Sequence, residues 1–185
     1  MTKFSVRLGI VSKIITVACF IIMSFALIKL TQVLLEGGFN IVYLSVIILL
    51  LISIVSPVFT MPVSIYALDD RLLLKKLLGS KTIFYSDIIV AERFSPKSDI
   101  RIFGSGGYWV FFGIFSNPRI GRYTALVGDY KEAVLIQVAI AGGYKSYVVS
   151  CRNYDEFIML VNNNRDIRTI LSATTATANN YQNGN

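Results

Sequence analysis

The glycine-rich loop of residues 104–107 is the first segment whose composition could serve chemistry, because backbone amides in such loops can bind phosphate. Gly104, Gly106 and Gly107 surround a single serine in this loop. A Walker-type phosphate loop would need a Gly-Lys-Ser/Thr ending and a following helix, whereas Gly107 leads into the apolar run YWVFF. Glycines in loops are more often simple turn residues. We therefore interpret the loop as a turn and keep a phosphate cradle as the alternative.

An aromatic cluster follows this loop and is the main indication of a binding surface in the sequence. Alternation along a strand would send about half of its side chains into a core. The others would form an exposed apolar patch of the kind that marks partner or membrane contacts. The competing interpretation is that all of them belong to the core. The candidate interaction surface consists of Arg101, Gly104, Gly106, Gly107, Tyr108, Trp109, Phe112, Arg119 and Arg122.

No pattern in the sequence indicates an enzyme. The chain has no histidine, which excludes His-based acid–base catalysis, Ser/His triads and His metal ligation. The two cysteines, Cys19 and Cys151, are too few for a disulfide framework or a zinc site. The acidic residues show no spacing typical of a catalytic pair. We therefore expect no enzymatic activity, no metal, no cofactor and no small-molecule substrate.

The composition instead indicates a membrane protein. Of the 185 residues, 54% are hydrophobic, against about 45–50% in soluble domains, and the excess lies before Pro62. The net charge of +7 is too evenly mixed with acids in the later part of the chain to indicate a nucleic-acid-binding domain. It suits a domain next to anionic lipid headgroups. The candidate contacts for such lipids are Lys75, Lys76 and Lys81.

Two apolar segments predict a transmembrane helical hairpin over residues 1–61. The first helix is expected at about 14–35, and it spans the bilayer only if the side chains of Lys13 and Lys29 extend towards the headgroups. The second, at about 41–60, carries no charge. A cleaved signal peptide and a buried hairpin of a soluble protein fit less well, because no A-x-A cleavage site follows the first segment and the second has no polar face.

The distribution of basic residues predicts the orientation of this hairpin. Lys3, Arg7 and Lys13 precede the first helix, and Arg71 and Lys75 are among those that follow the second, whereas the connecting turn has none. The positive-inside rule then places both termini in the cytoplasm. We expect a multi-pass protein of the cell (inner) membrane.

The rest of the chain, residues 62–171, predicts a small β-rich domain. Short apolar runs alternate with turn signals at a spacing typical of an antiparallel meander in a small barrel or sandwich. The seven runs are VSIYAL, RLLLKKLL, KTIF, IIVAERF, RYTALV, AVLIQVAI and YKSYVVSC. A helix is expected at roughly Tyr154–Asn163, since Asn153 can cap it and apolar residues recur at helical spacing. We expect residues 172–185 to form a disordered polar tail.

About seven strands followed by one helix is the order of elements in pleckstrin-homology domains, and three segments carry the resemblance. They are YALDDRLLLKKLLGSKTIFYSDII, RIFGSGGYWVFFGIFSNPRIGRYTALV and SYVVSCRNYDEFI. Together they resemble bacterial pleckstrin-homology-like domains, of the type anchored by two N-terminal transmembrane helices, over roughly Met61–Asn164. The resemblance implies a small barrel of about seven antiparallel strands with one C-terminal helix. The acidic turn at Asp69 and the position of Trp109 depart from lipid-binding members, so headgroup specificity is not implied.

We therefore predict a membrane-tethered, non-catalytic binding or scaffold module that presents this domain at the cytoplasmic face. Its partner would be another protein or a further copy of the chain, with lipid assisting. The alternative is an accessory or regulatory subunit of a larger membrane complex, recognised through the transmembrane hairpin.

Overall fold

The chain forms a helical hairpin, two β-sheets and a long C-terminal helix. The computed structural model describes residues 1–37, 40–60 and 62–182. The helices are α1 Ile10–Glu36, α2 Ile41–Thr60 and α3 Tyr154–Gln182. The strands are β1 Thr2–Ser5, β2 Pro62–Ala67, β3 Arg71–Lys76, β4 Ser80–Phe84, β5 Ile88–Arg93, β6 Ile100–Gly106, β7 Phe111–Asn117, β8 Gly121–Val127, β9 Ala133–Ile140 and β10 Gly143–Ser150.

Helix α2 is uncharged and α1 contains only Lys13, Lys29 and Glu36 as charged residues, and most large apolar side chains of both helices are exposed. The 27 residues of α1 extend over about 40 Å, and this helix is long and apolar enough to cross a membrane. It begins before the predicted start at residue 14, because the Gly9 amide donates to the Gly128 carbonyl at 2.9 Å and fixes an earlier first turn. In α2 the apolar stretch with described side chains, Ile41–Ser56, is shorter. The predicted glycine turn partly lies outside the described residues, at positions 38 and 39.

The first sheet has the strand order β1-β2-β3-β4. Its β1 precedes α1 in the chain and pairs antiparallel with β2, which follows α2, so that Phe4 lies opposite Ile65. The helical hairpin is therefore the connection between two hydrogen-bonded strands. The sequence did not predict β1, and residues 1–61 were expected to form only the anchor. The Phe4 ring is buried and packs edge-to-face on Phe157 of α3, with 5.1 Å between the ring centroids.

The second sheet has the strand order β5-β9-β10-β8-β7-β6. Its β8 and β10 are parallel, with Ala125 opposite Val148, so the expectation of antiparallel strands alone was wrong. The described residues contain ten strands instead of about seven, because the glycine-aromatic segment forms the extra hairpin β6–β7 and β1 joins the first sheet. The predicted barrel is not closed, since the two sheets keep separate edges.

Strand β9 separates two apolar clusters. Val134 and Ile136 face a cluster completed by the first sheet and α3, whereas Ala133 and Leu135 face a second cluster that includes Tyr123 of β8. Burial on both faces explains why the β9 sequence is an almost continuous apolar run instead of an alternating one. The seven runs predicted from the sequence all lie on strands of these two sheets.

Helix α3 closes the first cluster with Phe157 and Val161, which are fully buried at helical i, i+4 spacing. The predicted end at Asn163 was wrong, since the helix continues through Gln182. Beyond Asn163 the helix still makes polar contacts with the domain, since the Arg165 guanidinium donates to the Ile89 carbonyl at 3.0 Å. Residues 172–182, expected to be a disordered tail, have helical backbone, and 183–185 lie outside the described residues.

Candidate functional site

The connection between β6 and β7, residues 107–110, forms a tip that contacts both helices of the hairpin. The Trp109 amide donates to the Thr16 hydroxyl of α1 at 2.7 Å. The Tyr108 hydroxyl donates to the Ile54 carbonyl of α2 at 3.4 Å. Two aromatic residues of the predicted interaction surface are therefore in contact with the chain's own helices.

The backbone of this β6–β7 tip is shaped for close approach to α1. Gly107 has a φ of 118°, and a Cβ atom there would lie 2.9 Å from the Cδ1 atom of Ile15. Trp109 has a φ of 63°, a left-handed conformation that non-glycine residues seldom adopt and that costs on the order of 1–3 kcal/mol. Its indole Nε1 is buried without a hydrogen-bond partner among the described residues. The helix contacts hold the tip in this strained shape.

Gly104 and Gly113 face each other across β6 and β7 and have a structural role. Both have φ above 110°. A Cβ atom at Gly104 would collide with the Phe112 carbonyl oxygen, and one at Gly113 would collide with the Phe103 carbonyl oxygen. Glycine at these positions lets the two backbones approach closely. Gly104 and Gly106 lie within strand β6, so their interpretation as turn residues was wrong, and only Gly107 of the three belongs to the connection with β7.

The outer edge of β6 exposes large apolar side chains. Ile100 is 69% exposed and Phe103 is 72% exposed, and Ile102 lies between them, also exposed. On β7, Ile114 pairs with Phe103 and is exposed as well. Within the described chain β6 is the last strand of its sheet and pairs only with β7, so its other edge has free backbone donors and acceptors. We call these four residues and the β6 backbone the β6 edge.

The remaining residues of the predicted surface are divided between different places. Arg101 is exposed on β6, and its guanidinium passes over Gly106. Phe112 is half-buried on β7. Arg119 lies at the opposite end of the β6–β7 hairpin from the tip and forms an exposed ion pair with Glu92 at 2.7 Å. Arg122 is exposed on β8, beside Ser116. Ile100, Ile102 and Ile114 were missed, although for the first two the run IRIF before the glycines is a strand signal.

A second tip, the β3–β4 tip of residues 77–79, lies at the end of α2. The Leu78 amide donates to the Phe59 carbonyl at 3.2 Å. The predicted lipid contacts Lys75 and Lys76 stand on one side of this tip, and Lys81 on the other. A cleft of about 470 Å³ beside them is lined by Met1, Tyr66, Leu73, Lys75, Lys76, Leu77, Gly79 and Ser80.

Tyr123, Asn117 and Asp99 form a partly buried hydrogen-bonded group in the domain. The Tyr123 hydroxyl donates to the Asp99 carboxylate at 2.5 Å, and the Asn117 amide donates to the same group. Burial raises the pKa of Tyr123 well above its usual value and that of Tyr130 to about 12. Burial, with Glu132 nearby, raises the pKa of the Cys151 thiol to about 12, so this thiol is protonated at neutral pH. No cluster of metal-ligating side chains occurs in the described ranges.

Comparison with known proteins identifies the β-rich part of the chain. The family model described as bacterial PH domain matches residues 64–164, which extend from within β2 into α3. The match leaves out β1 and the helical hairpin, although β1 completes the first sheet. No curated protein and no solved structure matches the chain.

Proposed function

Since the chain belongs to the bacterial PH domain family, we propose that it is a membrane-tethered binding module that carries its domain on a two-helix transmembrane hairpin. The family is generally non-catalytic and indicates a binding module. The observation that carries the tethering is the pairing of β1 with β2. Because β1 leads into α1 and β2 follows α2, this pairing connects the first sheet to both ends of the helical hairpin.

The strand pairing supports two membrane crossings. The length of α1 exceeds the ~30 Å of a bilayer core. If α1 crosses, the chain must return to the starting side, because β2 is hydrogen-bonded to β1. The 20 residues of α2 extend over about 30 Å and suffice for that return. The basic residues on the domain side, Lys3, Arg7 and Lys13 among them, favour the cytoplasm for the domain and for both termini.

The recognition surface of this module is the β6 edge. Natural sheets usually protect their edges with charges, bulges, proline or a covering element. Strand β6 has one exposed charge, Arg101, and a register shift between Arg101 and Phe103. Around them it still presents the large apolar side chains of Ile100, Ile102 and Phe103. An exposed strand of this kind can accept an extended peptide as an additional strand, with main-chain hydrogen bonds giving affinity and side-chain contacts giving specificity. The proposed partner is an extended segment of another protein in or at the same membrane. A second copy of the chain would be detected in the same experiment.

Site-specific photo-crosslinking in native membranes tests this assignment. A photoreactive phenylalanine at Phe103 should yield a discrete protein adduct, which mass spectrometry then identifies. Adding Ile102→Lys should remove the adduct by placing a charge on the β6 edge. Ile140→Lys, at an exposed position on the far end of β9, should leave it unchanged.

Persistence of the Phe103 adduct in the Ile102→Lys chain would refute recognition by the β6 edge. The alternative, an accessory subunit recognised through the hairpin, predicts a different pattern. In that case a photoreactive residue at Ile22, exposed on α1, should give the protein adduct, and one at Phe103 should give none.

A further inference from the structure

We propose that the β3–β4 tip is a second membrane contact, which inserts Leu77 and Leu78 into the anionic cytoplasmic leaflet while its lysines bind the headgroups. The proposal rests on the tethering part of the proposed function and is independent of the β6 edge. It concerns the lipid bilayer itself as the occupant of this surface.

The position of the tip is set by its contact with α2. The Leu78 amide donates to the Phe59 carbonyl at 3.2 Å, and α2 ends at Thr60. A helix of 20 residues is about as long as the bilayer core is thick, ~30 Å. Its last residues therefore lie at the boundary between acyl chains and headgroups, and the hydrogen bond places Leu78 at the same depth.

The two leucines are uncovered at this position. Leu77 is 55% exposed and Leu78 is 65% exposed. The turn that presents them is closed by a hydrogen bond from the Lys76 amide to the Gly79 carbonyl at 3.1 Å, and Gly79 supplies the left-handed φ of 81° that the turn requires. The tip is thus a short, defined hairpin end whose two leucine side chains are more than half exposed.

The charge around the leucines selects an anionic surface. Lys75 and Lys81 are exposed on the two strands of the hairpin, and Lys76 is half-buried next to Leu77. Residues 71–86, which include the whole hairpin, contain no aspartate or glutamate. Lysines around a small apolar tip allow the apolar part to enter the acyl boundary while the ammonium groups stay among the phosphates.

The same hairpin is the only one of the two helix-contacting tips with this character. The β6–β7 tip buries Gly107 against α1, and it is bonded to the helices through the Tyr108 hydroxyl and the Trp109 backbone amide. The β3–β4 tip instead touches α2 through one backbone hydrogen bond and leaves its side chains outside. Within the described residues, both tips touch the helices, and the β3–β4 tip is the one whose large apolar side chains are mostly exposed.

Depth measurement by fluorescence quenching tests the proposal on the full chain. In a Cys19→Ala background, Leu78→Cys is labelled with an environment-sensitive fluorophore; Cys151 is buried and protonated and stays in place. The protein is reconstituted into vesicles of phosphatidylcholine with phosphatidylglycerol. Lipids carrying a shallow spin label are the quenchers for the Leu78 and Ile140 probes, and lipids with a spin label deep in the acyl chain are the quenchers for the Leu51 probe. Leu51→Cys on α2 reports the tether. Ile140→Cys, at the β9–β10 turn, is the exposed control. Ser150 at the other end of β10 contacts Gly128, which is hydrogen-bonded to Gly9 at the start of α1. The β9–β10 turn therefore lies at the end of β10 away from the helical hairpin.

The Leu78 probe should show blue-shifted emission and loss of intensity with the spin-labelled lipids, and the Ile140 probe should show neither. Replacing all three lysines, Lys75→Gln, Lys76→Gln and Lys81→Gln, should reduce the quenching at Leu78, as should vesicles of phosphatidylcholine alone. A Leu78 probe that stays open to aqueous iodide and unquenched by lipid would overturn the proposal and would point to a protein occupant. If the Leu51 probe is quenched in that case, the tether stands; if it is not, the proposed tethering fails as well.

Discussion

Truncation of Phe4 tests whether the N-terminal strand is part of the domain core. The side chain is 4% exposed and packs edge-to-face on Phe157 at 5.1 Å. Phe→Ala substitutions at buried positions cost about 3–5 kcal/mol, of which the aromatic pair accounts for about 0.5–1.5 kcal/mol. We expect Phe4→Ala to lower the free energy of unfolding of the β domain by about 3–5 kcal/mol, although the matched family region begins at residue 64.

Urea unfolding of the full chain in detergent micelles, followed by near-UV circular dichroism of the tyrosines in the domain, measures this loss. With a urea slope of about 2 kcal/mol per molar, the midpoint should fall by roughly 2 M. The matched control is Phe103→Ala, which removes the same atoms from an exposed position and should change the free energy by no more than about 0.5 kcal/mol.

Equal midpoints for Phe4→Ala and Phe103→Ala would refute the reasoning. That result would mean that the domain is complete without β1, as the sequence-based boundary at residue 62 predicts. A midpoint shift without a change in the urea slope would identify the loss as one of packing and not as a change in the extent of the cooperative unit.

Two further predictions concern the backbone and the pH dependence. Gly104→Ala should lower the free energy of unfolding by roughly 2–5 kcal/mol, since a Cβ atom there meets the Phe112 carbonyl at an unfavourable φ. Gly121 also has a positive φ but open space around it, so Gly121→Ala should lower it by only about 1–2 kcal/mol in the same urea assay. Equal losses for the two variants would contradict the close approach of the backbones at Gly104. Burial and the nearby Asp69 and Asp70 raise the pKa of Tyr85 to about 12 in the folded state, above its ordinary value of 10.0. The contribution of the Tyr85 hydroxyl to the free energy of unfolding is therefore complete below pH 10 and is lost as the pH rises towards 12. The stability difference between the native chain and Tyr85→Phe should therefore shift by up to about 3 kcal/mol over that window, and a constant difference would contradict this assignment.

Local signals in the sequence predicted most of the β domain. The run RLLLKKLL lies on β3, with Leu72 and Leu74 buried by alternation, and the break at Ser86-Asp87 is a short 3₁₀ turn between β4 and β5. The alternation of apolar residues and the turn residues can be read from the sequence because both depend on only a few neighbouring positions. The family resemblance added the order of elements, and the match over residues 64–164 confirms the family.

The features that the sequence did not predict depend on distant partners. β1 has four residues, of which one is buried, and only its pairing with β2 across residues 6–61 identifies it as a strand. The parallel pairing of β8 with β10 follows from β9 lying on the other side of β10. At the candidate site, Gly104 looked like a turn residue because its facing partner, Gly113, is visible only when β6 and β7 are side by side.

The connection of β1 to β2 through the helical hairpin also orders events during synthesis. β1 leaves the ribosome before either helix, and β2 follows only after both are made, a delay on the order of several seconds at about 5–20 residues per second. Until then β1 has no strand to pair with, and Phe4 has no core to pack into, because β2 and Phe157 of α3 are not yet made. On the proposed topology, a chain that crossed the bilayer once would hold β1 and β2 in different compartments. Completion of the PH domain would then be a built-in check on membrane insertion, and chains that fail it would expose the edge of β2 to chaperones and proteases.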